Sequence, residues 1–582
     1  MKILALFLCL LLLVGVFSAC TAAKPKEPAV DHRYKVGYAI RNINPWYQNN
    51  PDWGFYSGLF IMPGNDNTNP KYTANTLFDD NGDGVVDASD GLFTTATAIT
   101  DSSNNTVLYV TIDSVRAYSV VTTAIRNAIV AALGSDVITA DRIFLSANHT
   151  HSGAPFDTLK DGNEDQKAYY NWVIEQIKET ALEAFADRAP AELSKGTVNA
   201  TEATAALGYN GGKGYHMNAV RHYEVTDGDQ KYIIGSAGVS NADMKVFTPV
   251  EVADNDMHVL LFQFPDDEAK RPIIFVNWRA HSTMNSGIVA DALSSDYVNG
   301  IRTTLGNVKS DIAPDGYRTA FFQGASGDVT PSVRKEVFRS FPEQKDWVNE
   351  VDNENKKTFI YGKMLGQIAQ YCVEKSGKLK ACSAGKIRTV QVKWHGELQI
   401  DSAGLQMAAQ QANNLQSVKY PYTYNGYTVN ANLHRNAILN RRTASASYTD
   451  LELNAVLLGN DVAFVTAPSE LANKYYDYSN GEKYSEDNND WKNLVDEATY
   501  GTPFVLGYTN DHRGYIGKWL DYAANTSTYY EITGYAKNGD SVYGPGTYES
   551  YTSRFAQGQG EALVKQFGTM LNDLKTPGAS ES

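Results

Sequence analysis

Apolar residues in this chain occur in short unbroken runs and in longer stretches with helical spacing. Short, mainly apolar runs at residues 106–113, 143–145 and 272–278 predict buried strands. Helical spacing predicts helices at residues 119–133 and 166–186. Because strands and helices follow one another in this order, we expect an α/β fold of mixed α+β character, with mixed sheets forming a layered core flanked by helices.

Two histidines lie where one of these strands ends. His149 and His151 follow the run at residues 143–145, and Gly153 and Pro155 then end any regular element. In an extended backbone, residues two apart face the same side, so both imidazoles can point at one centre. Imidazole is a common zinc ligand, which makes a metal site one interpretation. Two solvated or hydrogen-bonded histidines at a strand end are the other.

Two further segments follow buried strands. His281 lies just after the strand predicted at residues 272–278. Residues 324–331 combine small residues, which let a backbone approach a ligand closely, with the polar side chains of Asp328 and Thr330. Taken singly, each segment is more often a turn than a site. Ligands at strand ends nevertheless suit an α/β core, because its loops carry function.

The composition is that of a soluble globular protein, with 43% hydrophobic and 20% charged residues. The net charge of −15 argues against a nucleic-acid partner, because phosphate binding requires a basic surface. Beyond the first residues, no apolar run approaches membrane-spanning length.

The first residues have the pattern of an export signal. Residues 1–19 combine Lys2 with an apolar run that is too short for a stable membrane anchor. The small residues before Cys20 resemble a bacterial lipoprotein signal, in which Cys20 becomes the lipid-bearing first residue, although Phe17 stands where leucine is usual. We expect an exported lipoprotein, anchored to a membrane at the cell surface or in the periplasm, with residues 20–33 as a tether. Ordinary cleavage, which gives a secreted protein, is the alternative.

Residues 79–90 have the spacing of an EF-hand calcium loop. Oxygen-bearing side chains fall at loop positions 1, 3, 5, 9 and 12, with glycine at 6. These side chains are Asp79, Asn81, Asp83, Asp87 and Asp90. A single copy without clear flanking helices predicts a Ca²⁺-bound staple on the core rather than a sensor. An acidic turn without metal is the alternative.

Beyond Cys20, two cysteines remain in the chain, Cys372 and Cys382. In an oxidising exported setting, a disulfide that closes this short loop is expected. Two buried free thiols are the alternative.

Together these segments resemble the neutral, non-lysosomal ceramidase family, zinc amidases that hydrolyse the N-acyl bond of ceramide. The family's Thr-His-Thr-His-Ser-Gly-Pro, His-(Ala/Pro)-Thr-Ser-Met-Asn and Gly-Asp-Val-Ser-Pro segments are similar to residues 148–155, 281–285 and 327–331. Its Pro-Gly-Glu, Asn-x-Tyr-x-x-Tyr and Tyr-Glu with Gly-Pro segments are similar to residues 468–470, 510–515, and 530–531 with 544–545. The segments occur in family order. The resemblance implies a catalytic domain at residues 34–576 and a tail at 577–582, without the family's C-terminal immunoglobulin-like domain.

The resemblance also implies roles for individual residues. It implies a Zn²⁺ held by His149, His281, Glu470 and Tyr515. It further implies that His151 and Tyr530 donate hydrogen bonds to the oxyanion that forms at the amide carbonyl, and that Thr330 hydrogen-bonds the water or a substrate hydroxyl.

The chain departs from the family pattern at several places. Thr330 replaces a serine, which adds a methyl group to the pocket. Glu175 is the nearest match to an arginine that the family has in the helix after its first motif. Residues 79–90 and 401–442 are insertions over the family core, and a helix at residues 558–574 closes the chain.

The sequence therefore predicts a zinc-dependent amidase of ceramidase type that is tethered to a membrane and acts on a lipid or N-acyl amide. One alternative is a zinc hydrolase of the same fold that acts on another N-acyl amide or an ester. The other is a non-catalytic, calcium-binding surface lipoprotein.

Overall fold

The computed structural model describes the main chain at residues 33–45, 79, 81–85, 87–153, 156, 160, 162, 164–227, 230–235, 247–249, 253–285, 293–332, 357–399, 422–424, 427–429, 444–475, 491, 503–518, 553, 555–556 and 558–575. The predicted signal, Cys20, Tyr530 and the tail at 577–582 lie outside the described residues. The predicted tether and the insertion at 401–442 lie largely outside them. The expectations about these segments stay predictions.

A mixed sheet of nine strands forms the centre of the molecule. Eight strands follow the order β12-β11-β10-β5-β1-β2-β3-β4, and β14 also pairs with β5. Neighbouring strands are antiparallel except for the parallel pairs β11–β12 and β3–β4. The strands are β1 (Tyr34–Asn42), β2 (Phe93–Thr100), β3 (Thr106–Ile112), β4 (Ile143–Ala147), β5 (Ala189–Asn199), β10 (Asp256–Gln263), β11 (Ile273–Trp278), β12 (Arg318–Gln323) and β14 (Lys380–Cys382).

A second sheet has four strands in the order β15-β18-β19-β21, and the remaining strands among the described residues form four smaller sheets. The second sheet contains β15 (Ile387–Gln399), β18 (Ala444–Leu458), β19 (Val462–Thr466) and β21 (Phe504–Leu506). The smaller sheets pair β6 (Asn218–Val220) with β13 (Val329–Pro331), β16 (Tyr422–Tyr424) with β17 (Tyr427–Val429), β20 (Glu470–Leu471) with β22 (Tyr515–Ile516), and β7 (His222–Asp227) with both β8 (Gln230–Gly235) and β9 (Phe247–Pro249).

Helices cover the outer faces of the two large sheets. They are α1 (Ser119–Leu133), α2 (Glu164–Ala186), α3 (Ala200–Ala206), α4 (Tyr297–Gly306), α5 (Lys357–Glu374) and α6 (Gln559–Lys575). Helices α1 and α2 pack on β1 to β4, α4 and α5 pack on β10 to β12, and α6 packs on the second sheet. The predicted mixed α/β fold is therefore confirmed.

An aromatic core fills the space between the two large sheets. Tyr109 of β3 lies 5.9 Å from Phe275 of β11 and 4.9 Å from Phe464 of β19, measured between ring centroids. In β3, Leu108 and Val110 point instead to the side of α1 and α2, so successive side chains enter different cores. This two-sided burial explains why apolar residues occupy successive positions of the strand rather than alternate ones.

Among the described residues, none of the helices is long and apolar enough to cross a membrane.

The predicted disulfide is wrong, because Cys372 and Cys382 are both free thiols. Cys372 is buried in α5, and its sulfur lies only 2.7 Å from where a Cβ on Gly196 of β5 would be. Cys382 lies in β14 opposite Leu193 of β5. Gly196 and Leu193 are three residues apart on β5, about 10 Å along the strand, so the two cysteines lie next to different parts of it.

The predicted calcium loop is folded around its own carboxylates. Asp79 accepts the N–H of Gly84 at 3.0 Å, and the buried Asp90 accepts the N–H of Asn81 at 3.1 Å. Asn299 of α4 donates to a loop carbonyl at 3.0 Å, so the loop is tied to the core. Bound Ca²⁺ stays a prediction.

We predict that millimolar Ca²⁺ raises the midpoint of thermal unfolding by several degrees, because it offsets the repulsion among the loop carboxylates and binds the folded state alone. A chelator should reverse the shift, and Asp83→Ala should abolish it. Asp315→Ala, which alters an exposed carboxylate elsewhere (78% exposed side chain), should respond to Ca²⁺ like the parent protein. If the midpoint of thermal unfolding of the parent protein did not change with Ca²⁺, that result would contradict the calcium site.

A buried ion pair supports the segment that carries the first two histidines. Asp113, just after β3, contacts both terminal nitrogens of Arg302 in α4, at 2.6 and 2.8 Å. The same carboxylate accepts a hydrogen bond from the side chain of Asn148 at 2.9 Å. Since Asn148 directly precedes His149, the ion pair fixes the backbone from which that histidine projects.

We predict that Arg302→Met lowers the free energy of unfolding by about 3–5 kcal/mol, because it leaves the Asp113 carboxylate buried without its partner. Urea unfolding measures the change. Lys309→Met is the matched control, since it breaks an ion pair whose side chains are 69% and 78% exposed, and should have no measurable effect. Equal stability of both variants would contradict this account of the ion pair.

Candidate metal centre

The turn after β4 holds His149 in an unusual backbone conformation. Its φ is 63°, in the left-handed region that non-glycine residues rarely adopt. The turn is held by the His149 N–H, which donates to the carbonyl of Ser114 at 3.0 Å. The extended His-x-His backbone expected from the sequence is therefore wrong. The two rings still converge, and Nε2 of His149 lies 3.2 Å from Nε2 of His151.

His281 reaches the same place from the end of β11. Its N–H donates to the carbonyl of Val329 in β13 at 3.0 Å, which ties the histidine to the segment that carries Thr330. His149, His151 and His281 each offer a ring nitrogen, and these nitrogens all lie within 4.8 Å of one another. This group of three histidines can hold a metal ion.

Glu470 and Tyr515 enter the site together. They are register partners in the short parallel sheet of β20 and β22. The loop before Tyr515 is anchored on β4 by Asn510, which accepts the N–H of Leu145 and donates its own N–H to the Leu145 carbonyl, both at 2.8 Å. Glu470 and Tyr515 are far from His149 in the sequence. The anchored loop brings them to the end of β4, the strand that leads to His149.

Four short distances describe the centre. Nε2 of His281 lies 3.1 Å from Oε2 of Glu470 and 3.2 Å from the hydroxyl of Tyr515. Nε2 of His149 lies 3.4 Å from the same Glu470 oxygen and, as above, 3.2 Å from His151. Zinc–ligand distances near 2.0–2.1 Å in a tetrahedron place neighbouring ligand atoms about 3.3 Å apart. The three contacts that join His149, His281, Glu470 and Tyr515 therefore have the spacing of neighbouring zinc ligands, and the chemistry of these atoms fits the ion.

Backbone carbonyls determine which ring nitrogen carries the proton. Nδ1 of His149 is 2.7 Å from the carbonyl oxygen of Val115, and Nδ1 of His281 is 2.6 Å from that of Ser326. A carbonyl only accepts hydrogen bonds, so each neutral ring carries its proton on Nδ1 and a lone pair on Nε2. Both lone pairs face Oε2 of Glu470, which also only accepts. A cation turns these repulsive contacts into attractive ones.

The surroundings favour neutral imidazoles around a charged carboxylate. Burial, aided by the charge of Arg221, lowers the pKa of His281 to about 3. Burial and the neighbouring histidines lower the pKa of His151 well below its ordinary value. Burial opposes ionisation of Glu470, but its contacts with the surrounding histidines hold the pKa of Glu470 well below its ordinary value. Neutral histidine and ionised glutamate are the forms that bind metals.

Thr330 lies beside the metal centre in β13. Its side chain is fully buried, and its hydroxyl has no hydrogen-bond partner among the described residues. Unpaired buried hydroxyls are costly, which is consistent with a ligand or water completing this one. Tyr508 closes another side of the site, with its ring stacked on His149 at 4.2 Å between centroids and its hydroxyl 2.9 Å from that of Ser326.

Two charged or titratable residues near the centre were missed by the sequence analysis. His512 lies with its Nε2 3.0 Å from Oε1 of Glu470. The available signal was its place between Asn510 and Tyr515 in a recognised segment. Arg221 follows β6, and its charge acts on His281 and His151. No local pattern marks Arg221, since the pairing of β6 with β13 places it there.

Glu175 is not part of the centre. It lies on α2 with 54% of its side chain exposed, and its carboxylate pairs with Lys178 one turn away. Helix α2 packs on the core through its opposite, apolar face, which includes Tyr169, Val173 and Ile177.

The fold matches two solved structures along almost the whole chain. A crystal structure of neutral ceramidase from Pseudomonas aeruginosa matches 94% of this chain and 75% of its own, with a TM-score of 0.54 and 15% sequence identity. A ceramidase complexed with C2 matches 94% of this chain and 76% of its own, with a TM-score of 0.53 and 13% identity. This chain has the neutral ceramidase fold. By sequence, no protein-family model and no curated protein matches it significantly.

We predict that the protein binds about one zinc ion per chain, because the part of the chain that the structure describes contains one centre with the required donor set. His281→Ala should lose that zinc on gel filtration, since the removed ring provides two of the four short contacts. His395→Ala is the control: it removes a histidine that is 67% exposed on β15, and it should retain zinc like the parent. Elemental analysis of the protein fractions measures both. Stoichiometric zinc in His281→Ala would refute the ligand role of His281.

Proposed function

We propose that the protein is a zinc-dependent amidase of neutral ceramidase type, which hydrolyses the N-acyl bond of ceramide-like lipids to a fatty acid and a sphingoid base. One observation carries the proposal. In a chain with the neutral ceramidase fold, Nε2 of His281 and Nε2 of His149 converge on the same oxygen of Glu470, at 3.1 and 3.4 Å, which is close to the separation of neighbouring zinc ligands.

The proposed zinc ligands are His149, His281, Glu470 and Tyr515. Bound there, zinc supplies a Lewis acid that polarises the acyl carbonyl and lowers the pKa of a water to about 7. The chain contributes two histidines whose Nδ1 atoms are held by carbonyls, an arrangement that fixes ring orientation in metal sites.

His151 is proposed as a hydrogen-bond donor rather than a ligand. It is half-buried, whereas His149 and His281 are each 1% exposed, and this greater exposure supports a role towards a bound substrate rather than as a buried ligand. A donor aimed at the developing oxyanion contributes about 3 kcal/mol in comparable sites. Tyr530 is proposed as the second donor, on the family resemblance alone.

Thr330 is proposed to orient the attacking water or a substrate hydroxyl. Its buried hydroxyl has no partner among the described residues, which supports this role. The methyl group that distinguishes it from serine narrows the same pocket. A narrower pocket favours a second candidate, a zinc hydrolase acting on a smaller N-acyl amide or an ester.

The proposed location is a membrane surface reached through a lipid on Cys20. Ceramide-like lipids are dilute in water and concentrated in bilayers, so a tether at residues 20–33 places the enzyme where its substrate is. Secretion without a lipid is the alternative, and both stay proposals.

The experiment that tests the function measures fatty-acid release from a fluorescent short-chain ceramide, a simple N-acyl amide and a phenyl ester. We predict ceramide hydrolysis that a zinc chelator abolishes and added zinc restores, with His395→Ala as active as the parent protein. Chelator-sensitive cleavage of the simpler compounds alone would replace ceramide by the second candidate. A zinc-loaded protein that cleaves none of the three would refute the hydrolase.

Thr330 gives a more local prediction. Thr330→Ser should retain or raise ceramide hydrolysis, because it keeps the hydroxyl and removes the methyl group. Thr330→Val keeps the shape and removes the hydroxyl, so kcat should fall by about 100-fold or more. Steady-state kinetics on the zinc-loaded variants separate the two effects. Equal activity of the serine and valine variants would mean that the hydroxyl has no role.

A further inference from the structure

We propose that His512 is a positioning residue that orients Glu470, so that this carboxylate binds the metal through a single oxygen. The inference rests on the metal centre of the proposed function and deepens it. It concerns a residue to which the sequence patterns assigned no role.

The two oxygens of Glu470 have different partners. Oε1 lies 3.0 Å from Nε2 of His512, whereas Oε2 lies 3.1 Å from Nε2 of His281 and 3.4 Å from Nε2 of His149. An ionised carboxylate only accepts hydrogen bonds, so Nε2 of His512 carries a proton and donates a hydrogen bond to Oε1. The outer oxygen is thus occupied by protein, and the inner oxygen is left for a cation.

The protonation of Nε2 distinguishes His512 from the proposed ligands. His149 and His281 present lone pairs at Nε2, because carbonyls take their Nδ1 protons. His512 presents a proton at Nε2. Among the described residues, the histidine nitrogens that converge within 4.8 Å belong to His149, His151 and His281, not to His512.

The ring of His512 is held before any metal binds. The backbone N–H of His512 donates to Oδ1 of Asp511 at 2.8 Å, and that oxygen also accepts the backbone N–H of Ser119 at the start of α1, at 2.9 Å. The ring lies nearly parallel to that of Tyr508, at 16° and 6.2 Å between centroids. It meets the ring of Tyr118 edge-on, at 6.1 Å.

This arrangement predicts an effect on metal affinity. A carboxylate freed from its outer partner can rotate or bind through both oxygens, so fewer of its conformations suit the site. Removing such a partner typically weakens metal binding by about 10–100-fold. The same hydrogen bond also places the negative charge of Glu470 next to the Nε2 lone pairs of His149 and His281. This contact is attractive only when a cation lies between these atoms.

The test measures the dissociation constant for zinc by competition with a chromophoric chelator. His512→Ala should bind zinc about 10–100-fold more weakly than the parent protein. His512→Gln should recover most of that loss, because a glutamine amide can donate to Oε1 from a similar position. His395→Ala is the matched control and should bind like the parent. Urea unfolding of each metal-free variant confirms that the folded state is retained.

Cobalt substitution separates positioning from direct ligation. If His512 only positions Glu470, the visible spectrum of the Co²⁺ form should be the same in His512→Gln and the parent. A spectrum that reports a lost nitrogen ligand would overturn the inference, and so would zinc affinity unchanged in His512→Ala. A parent protein that binds no zinc would refute the proposed function itself, and the positioning role with it.

Discussion

Two backbone carbonyls determine the chemistry of the buried centre. Val115 and Ser326 hold the Nδ1 protons of His149 and His281, so both rings turn lone pairs towards the carboxylate of Glu470. Acceptors gathered around a buried negative charge are unfavourable unless a cation joins them. The fold keeps this unfavourable arrangement of acceptors and also keeps His149 in a left-handed backbone conformation. Unfavourable conformations and charges of this kind are typical of functional sites.

The fold brings these side chains together because strands that are distant in the sequence end at the same place. His149 follows β4, His281 follows β11, and the parallel pair β20–β22 delivers Glu470 opposite Tyr515. Polar anchors hold these ends more firmly than loops alone could. The Asp113–Arg302 ion pair holds the residue before His149, and the hydrogen bonds of Asn510 fasten the Tyr515 loop to β4. A rigid sheet with anchored strand ends keeps these side chains in position.

The sequence was sufficient for features that depend on local pattern. Mainly apolar runs located β3, β4 and β11 because their side chains are buried on both faces, and histidines at strand exits indicated the centre. Features that depend on distant contacts were missed or wrong. The turn at His149 depends on Ser114, the place of Arg221 depends on the β6–β13 pairing, and the failed disulfide depends on how α5 and β14 approach β5. His512 lay in a recognised segment, but only the fold shows that it faces Glu470.

The most direct test of the central claim is a crystal structure of the zinc-soaked protein with anomalous data collected on both sides of the zinc edge. The account predicts one zinc peak within about 2.0–2.3 Å of Nε2 of His149, Nε2 of His281 and one oxygen of Glu470, with the Tyr515 hydroxyl completing the protein ligands. Absence of a peak between these atoms, in a protein that is folded and saturated with zinc, would contradict the account.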